Sequence, residues 1–136
     1  MYYHATPGRN LEAIARHGLL SGSRALELGA GELTTGRKDG APYIHVTDHI
    51  EKCVRWFRQV SGFAERAPNW YIVRFDPSGL GVEVRPDPRS STGLILKTDC
   101  IPVDRLSYRF GEDYEPGQGE EIAGVNVWSA MSPRPA

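Results

Sequence analysis

Four histidines are the side chains of this sequence best suited to chemistry near neutral pH, because imidazole acts there as base, metal ligand or hydrogen-bond donor. His4 stands in a short aromatic and β-branched run just before a Pro-Gly turn, where a strand side chain can face a cleft. His17 is expected in the last turn of a helix, where its charge favours the helix dipole, so we assign it a structural role. His45 and His49 lack further ligands at zinc-binding spacing, so we expect no metal site.

Common signatures of dinucleotide binding, phosphate binding and serine hydrolysis are missing from the sequence. No Gly-x-Gly-x-x-Gly follows a predicted strand, the lysine of a phosphate-binding loop is absent, and no Gly-x-Ser-x-Gly elbow occurs. Arg85, Arg89 and Lys97 could steer a phosphate-bearing ligand or could be ordinary solvated surface. Cys53 and Cys100 lie far apart without metal-ligand spacing, so we expect buried free thiols.

The composition is typical of one globular domain. With 136 residues, 40% of them hydrophobic, the chain can bury one modest core, which we expect over residues 1–130, with a frayed tail over 131–136. The 16 Lys and Arg nearly balance the 17 Asp and Glu, so the overall charge does not favour nucleic acid or an anionic membrane. No apolar run could cross a bilayer and the first residues do not resemble a signal peptide, which predicts a cytoplasmic protein without a membrane partner.

The candidate residues must be positioned by two strand-helix units in the first half of the chain. A strand over residues 2–6 ends at Pro7-Gly8, and apolar residues at helical spacing follow between the possible cap Asn10 and the terminating Gly18. Residues 21–41 are rich in Gly and Ser, which predicts a long surface loop, either an ordinary connection or a binding segment.

The second unit begins after Pro42. A strand is predicted over residues 43–46, and Thr47 or Asp48 can cap a helix whose apolar face contains Ile50, Cys53, Val54 and Phe57. The second half of the chain is predicted to be mostly β, with strands over residues 70–75, 81–84, 94–97, 104–110 and 122–128. These patterns predict an α+β fold.

The order of these motifs resembles the His-Tyr-Glu/Asp class of ADP-ribosyltransferases, in which a His-Gly-Thr strand precedes a short helix ending in Gly-Leu and a later strand begins with Tyr. The matching segments are Tyr3-His4-Ala5-Thr6, His17-Gly18-Leu19-Leu20 and Pro42-Tyr43-Ile44-His45-Val46-Thr47. Among small members, the chain looks most like the rifamycin ADP-ribosyltransferases, with a Trp in the next helix and a strand running into Pro-x-Gly at residues 70–79. The resemblance covers most of residues 2–110 and implies an ADP-ribosyltransferase-like split β-sheet with two or more short helices near the N-terminal half.

The resemblance also implies that NAD is the substrate and that these motifs hold it. His4 would bond the ribose next to adenine, while Tyr43 and an aromatic residue of the following helix would stack on nicotinamide. Main-chain groups of Ala5, where the family has Gly, would hold the carboxamide in a slightly narrower space. The implied cofactor contacts are His4, Ala5, Thr6, Tyr43, Trp56 and Phe57.

The family further uses an acid that binds the nicotinamide ribose and stabilises the positive charge as nicotinamide departs. Asp87 fits best, because it follows the Pro-x-Gly turn and precedes Pro88, and Glu83 comes second. Glu120, within Gln118-Gly119-Glu120, resembles the acid of arginine-directed relatives and is the third choice. The implied catalytic residues are therefore Asp87, Glu83 and Tyr43.

The function implied by the resemblance is mono-ADP-ribosyl transfer from NAD, with release of nicotinamide, to a small molecule, a nucleic acid or a protein. The alternative is a catalytically inactive module that binds NAD or ADP-ribose on the same fold. RNA 2′-phosphotransferase chemistry needs an array of basic residues that the sequence does not place. The sequence does not identify the acceptor, since specificity would belong to loops such as residues 21–41 and 109–121.

Overall fold

Short helices and antiparallel sheets build this chain, which confirms the α+β class. The computed structural model describes residues 1–28, 41–60, 69–90, 93–115, 117 and 126–133. Within these ranges no helix has the length and apolar character needed to cross a membrane. The helices are α1 (Leu11–His17), α2 (Gly22–Glu27) and α3 (Ile50–Arg55), with a π-helical turn over Trp56–Val60 after α3. The strands are β1 (Tyr2–Pro7), β2 (Leu19–Leu20), β3 (Ile44–Val46), β4 (Trp70–Phe75), β5 (Val84–Pro86), β6 (Leu94–Leu96), β7 (Cys100–Ile101), β8 (Ser107–Phe110) and β9 (Ser129–Ala130).

The described strands form three antiparallel sheets. One sheet has the order β1-β4-β8-β9, a second has the order β3-β6-β5, and β2 pairs with β7. The two larger sheets meet where Tyr3 and Thr47 exchange two backbone hydrogen bonds of 2.9 Å each. Strand β1 therefore has β4 on one side and the end of β3 on the other, which brings the two motif strands together.

The two faces of β1 and β4 pack against different clusters, because side chains alternate along a strand. On one face lies an aromatic cluster, defined by Tyr3, Ala5, Ile50, Cys53, Val54, Phe57, Trp70, Ile72, Tyr114 and Trp128. On the other face, Val73 and Phe75 pack with residues of β3 and β6. His4 is paired with Val73 in the ladder, so His4 and Thr6 lie on this second face, towards the second sheet.

The segment predicted as a loop over residues 21–41 begins instead with helix α2. Ser21 is its N-cap, because the Ser21 hydroxyl oxygen accepts a hydrogen bond of 3.2 Å from the backbone N–H of Arg24. Ala25 is buried and joins the helix to the core. The prediction missed this helix because a single turn and a half gives little periodicity, and residues 29–40 lie outside the described ranges.

The second predicted unit, β3 followed by α3, is present with shifted boundaries. Strand β3 begins at Ile44 rather than at Tyr43. The predicted caps Thr47 and Asp48 are wrong, since the N-cap position of α3 is His49, which makes no side-chain cap bond. Thr47 instead donates its hydroxyl to the carbonyl oxygen of His49 at 3.0 Å, which steadies the turn between strand and helix.

In the second half, β4 has its predicted bounds, whereas the strands that follow are shifted. Strand β5 begins at Val84 rather than at residue 81, because Gly81 adopts a positive φ of 64°, a turn conformation. A 3₁₀ turn over Val103–Arg105 occupies the start of the strand predicted over residues 104–110. Strands β2 and β7, of two residues each, are too short for a sequence pattern to reveal.

Met131, the first residue of the segment predicted to be a frayed tail, is anchored in the core. Met131 is buried, and its backbone N–H donates to the carbonyl oxygen of Leu106 at 3.0 Å. Of the strand predicted over residues 122–128, residues 122–125 lie outside the described ranges and residues 126–128 are not in a strand; the described strand here is β9. Residues 134–136 also lie outside those ranges.

The Met131→Ala substitution tests this anchoring. It removes a buried side chain from the core, so the free energy of unfolding should fall by about 2–5 kcal/mol. Urea denaturation followed by tryptophan fluorescence measures the change. Ser132→Ala, at the exposed next position, is the matched control and should shift stability by less than about 0.5 kcal/mol. Equal urea midpoints for the two variants would contradict the burial of Met131.

Candidate functional site

His4 is buried on β1 and bonds across to the second sheet. Its side-chain Nδ1 lies 3.0 Å from the backbone carbonyl oxygen of His45, and the residue is 5% exposed. Because a carbonyl oxygen only accepts, Nδ1 must carry the hydrogen, so Nε2 holds the lone pair of the neutral ring. The side chain is thus fixed in one tautomer at the junction between the sheets.

His45 is linked in turn to Asp87, from the connection between β5 and β6. The two side chains meet at 2.9 Å between His45 Nδ1 and Asp87 Oδ2. The imidazole side chain is 15% exposed, whereas the carboxylate is only 3% exposed. The arrangement is a buried carboxylate that accepts a hydrogen bond from an imidazole at the edge of solvent.

The backbone around Asp87 fixes the direction of its carboxylate. Asp87 Oδ1 accepts from the backbone N–H of Arg89 at 2.9 Å, and the Asp87 backbone N–H donates to the carbonyl oxygen of Gly93 at 3.0 Å. The backbone N–H of Ser90 also donates to the Asp87 carbonyl oxygen at 3.2 Å. Both carboxylate oxygens therefore accept hydrogen bonds in a rigid turn.

Tyr43 contributes an aromatic ring to the same group of residues. Its ring lies edge-on to the His45 imidazole, with centroids 5.1 Å apart and planes at 76°. Tyr43 is half-buried, so part of the ring remains accessible to a ligand. We call His4, Thr6, Tyr43, His45 and Asp87 the histidine cluster.

Thr6 stands on the same face of β1 as His4 and has a buried hydroxyl. The residue is 0% exposed, and its Oγ1 has no hydrogen-bond partner within the described part of the chain. A buried hydroxyl without a partner is costly, by about 1–3 kcal/mol. Thr6 Oγ1 is therefore a buried polar atom, on the same face of β1 as His4, whose hydrogen-bonding capacity the described residues leave unused.

The side chains of the remaining residues predicted to contact the cofactor lie on the opposite face of β1. The Ala5 side chain packs into the aromatic cluster, so its methyl group does not narrow the space beside His4. Phe57 is fully buried and stacked on Trp70, with ring centroids 4.4 Å apart and planes at 18°. Trp56 is half-buried against the same cluster. The structure brings neither ring to the face that carries His4.

The three candidate acids have different surroundings. Asp87 belongs to the histidine cluster, whereas Glu83 is exposed and forms an ion pair of 2.7 Å with Arg85. The hydrogen bond from Arg85 lowers the pKa of Glu83. Glu83 and Asp87 lie at opposite ends of β5, about 13 Å apart along an extended strand. Glu120 lies outside the described residues.

His45 is the residue of this cluster that sequence reasoning passed over, since it was considered there as a metal ligand. Its spacing two residues after Tyr43 places both side chains on one side of an extended segment, and this signal could have paired them. In the described part of the chain, no group of three or more His, Cys, Asp or Glu side chains is placed to hold a metal ion.

Both cysteines are free thiols and neither is activated as a nucleophile. Burial raises the pKa of the Cys53 thiol to about 12. Burial also raises the pKa of Cys100, whose Sγ donates to the carbonyl oxygen of His17 at 3.3 Å. Thiolate chemistry at neutral pH therefore has no support from these two residues.

Comparison of the chain with protein-family models, curated proteins and solved structures finds no match. The assignment of a function must therefore come from the geometry and chemistry of the histidine cluster.

The Asp87→Ala substitution tests how much the Asp87 carboxylate contributes to the stability of the fold. It leaves His45 Nδ1 and the Arg89 backbone N–H without their acceptor, so the free energy of unfolding should fall by about 1–3 kcal/mol. Glu83→Ala removes an exposed carboxylate four positions earlier and should leave the urea midpoint unchanged. An Asp87→Ala protein that unfolds at the wild-type midpoint would mean that the carboxylate does not hold the turn.

Proposed function

We propose that this chain transfers ADP-ribose from NAD to an acceptor and releases nicotinamide. The observation that carries the proposal is the meeting of His4, Tyr43 and Asp87 around His45. These three residues come from different parts of the chain, and each belongs to one of the short motifs of the sequence. All three are linked through His45, whose backbone carbonyl accepts from His4 and whose side chain meets Asp87 and Tyr43, and this supports a shared role in binding and using one substrate.

His4 and Thr6 supply the polar contacts for the ribose end of NAD in this proposal. The fixed Nδ1–H of His4 leaves Nε2 as the hydrogen-bond acceptor, which suits a ribose hydroxyl donor. The buried Thr6 hydroxyl gains a partner when a polar substrate group is bound beside it. Two such contacts on adjacent same-face positions of a strand would fix the orientation of the sugar.

Tyr43 supplies the aromatic surface. A half-buried tyrosine ring can stack on the flat, positively charged nicotinamide, and this attraction weakens once the leaving ring has become neutral. Trp56 and Phe57 are not part of this contact in the proposal, because both pack in the aromatic cluster on the other face of β1.

Asp87 supplies the negative charge. As the bond between ribose and nicotinamide breaks, positive charge spreads over the ribose C1′ and ring oxygen, and a fixed carboxylate nearby stabilises it. Asp87 is preferred to Glu83, since Asp87 lies within the histidine cluster whereas Glu83 is exposed and paired with Arg85.

The finer architecture belongs to the same proposal. An ADP-ribosyltransferase-like split β-sheet would place the substrate between two sheets that diverge from a common junction. The sheets β1-β4-β8-β9 and β3-β6-β5, joined at Tyr3 and Thr47, are compatible with that arrangement. The histidine cluster lies beside this junction.

One observation favours the second candidate, an inactive module that binds NAD or ADP-ribose. The carboxylate of Asp87 is 3% exposed and already accepts hydrogen bonds at both oxygens. Such a carboxylate is well placed to hold a turn and poorly placed to touch a substrate directly. Binding without transfer would use His4, Thr6 and Tyr43 in the same way.

Nicotinamide release distinguishes the two candidates. The protein is incubated with NAD and a panel of acceptors that includes rifamycins, oligonucleotides and lysate proteins. Free nicotinamide is measured, and each acceptor is analysed by mass spectrometry for the addition of one ADP-ribosyl group. His4→Ala removes one hydrogen bond to NAD together with the bond that joins His4 to the His45 carbonyl at the sheet junction, so KM for NAD should rise by at least about tenfold. His17→Ala, at the half-buried histidine at the end of α1, is the matched control and should keep the wild-type KM.

Thermal denaturation with NAD completes this experiment. A saturating ligand at about 100 times its Kd stabilises the folded state by about 2.7 kcal/mol, which raises the Tm. If NAD raises the Tm but no nicotinamide is released with any of the acceptors, the binding module becomes the supported function and the transferase is rejected. A Tm unaffected by NAD, together with no release of nicotinamide, would refute both.

A further inference from the structure

The pair formed by His45 and Asp87 has the geometry of an oriented general base. A carboxylate oxygen accepts, so the hydrogen of the 2.9 Å bond belongs to His45 Nδ1, and the neutral ring carries its basic lone pair on Nε2. A carboxylate in this position fixes the tautomer and the ring orientation, and it stabilises the imidazolium formed when Nε2 takes a proton. The pair thus contains the parts that proton removal requires.

The side chains of His45 and Asp87 differ in solvent exposure, and this difference indicates which of them can contact a substrate. The Asp87 side chain is 3% exposed and is held at both oxygens, whereas the His45 side chain is 15% exposed. The imidazole is therefore the member that can touch a bound molecule, and the carboxylate acts through it. This division explains how a buried acid can contribute to catalysis without contacting the substrate.

The pair is not required to join the strands that carry it. Backbone pairing already holds β3 to β6 at His45↔Ile95, and β6 to β5 at Arg85↔Ile95. A buried carboxylate that meets an imidazole has a desolvation cost that an apolar pair at the same place would avoid. Holding the strands together therefore does not explain the imidazole at position 45, although the Asp87 carboxylate also accepts from the Arg89 backbone N–H in its own turn.

We infer that His45 is the general base for the acceptor and that Asp87 is its positioning residue. This inference rests on the proposed function. In the step, an acceptor X–H donates its proton to His45 Nε2 while its lone pair forms the bond from X to ribose C1′. The C1′–N bond of NAD breaks, and its electron pair neutralises the pyridinium ring, so neutral nicotinamide leaves. Charge balances, because the positive charge lost by nicotinamide appears on the His45 imidazolium.

His45→Ala is the first test of the inference, and added imidazole is its diagnostic readout. Loss of a general base should lower the transfer rate by about 10²–10⁴-fold, while NAD still raises the Tm. Imidazole in the buffer should restore part of the rate, since it can occupy the space left by a side chain that reaches solvent. A structural role for His45 would not respond to imidazole in this way.

Two further variants provide a control and a test that separates lost basicity from lost structure. His49→Ala changes an exposed histidine four residues away and should keep the wild-type rate, with or without imidazole. His45→Gln keeps a side-chain N–H that can donate to Asp87 but has no basic nitrogen. It should fold and bind NAD, and its rate should match that of His45→Ala, which separates lost basicity from lost structure.

The positioning role of Asp87 has a readout that needs no NAD. In the wild-type protein without NAD, ¹⁵N chemical shifts of the His45 imidazole should show a protonated Nδ1 and a lone pair on Nε2. In Asp87→Asn, the side-chain amide can donate to Nδ1, which moves the hydrogen to Nε2. The rate should fall, and imidazole should not restore it, because His45 still fills its place.

The outcomes separate this inference from the proposed function. If the wild type releases nicotinamide and His45→Gln transfers within threefold of the wild-type rate, His45 is not the base and the proposed transferase stands. An unchanged His45 tautomer in a slow Asp87→Asn variant would overturn the positioning role. If the wild type releases no nicotinamide, the proposed function fails and the inference fails with it.

Discussion

The hydrogen bond of 3.0 Å from His4 Nδ1 to the carbonyl oxygen of His45 is the interaction on which the site depends. A buried imidazole N–H without an acceptor would cost about 1–3 kcal/mol, so the strand that carries His4 must stay close to the strand that carries His45. The backbone exchange between Tyr3 and Thr47 holds the same junction one residue away on β1. Together these bonds fix the spacing of the two larger sheets where the histidine cluster lies.

Because side chains alternate in direction along β1, its two faces contact different parts of the protein. Tyr3 and Ala5 pack into the aromatic cluster that holds α3 against the sheet, whereas His4 and Thr6 face the second sheet. A slip of one residue in the pairing of β1 with β4 would exchange these sets and bury the wrong side chains. The stability of the aromatic cluster therefore also sets the register that presents His4.

The sequence predicts the elements with clear local signals and misses those that depend on distant contacts. The alternating apolar residues of β4 predicted that strand with its observed bounds. The glycine at position 18 predicted the end of α1, where Gly18 adopts a positive φ of 87° that favours glycine. Met131 gave no such signal, because its burial comes from β8 and Leu106, far away in the sequence. The α+β class was therefore predictable, whereas the anchored C-terminal end was not.

In the candidate site, too, the residues with local sequence signals were predicted and the contacts between distant residues were not. Short motifs singled out His4 and Tyr43, but spacing alone could not tell whether the ring of Phe57 faces a ligand or the core, because neighbouring helical positions differ by only 100° in direction. The stacking of Phe57 on Trp70 across 4.4 Å decides the matter in favour of the core. The partner of Asp87 was equally hidden, since the bond to His45 spans 42 positions in sequence.

The local sequence around Asp87 explains why this carboxylate, rather than the nearby Glu83, can hold an imidazole. Asp87 stands between Pro86 and Pro88, whose rings fix φ, and a residue before proline is restricted to extended conformations. The chain therefore loses less conformational entropy when the turn forms, and the backbone bond to Gly93 then sets the direction of the side chain. Glu83 has a longer side chain, an exposed position and an arginine partner that turns it towards solvent. A carboxylate can orient another side chain only when its own backbone is rigid, and in this chain the two prolines provide that rigidity.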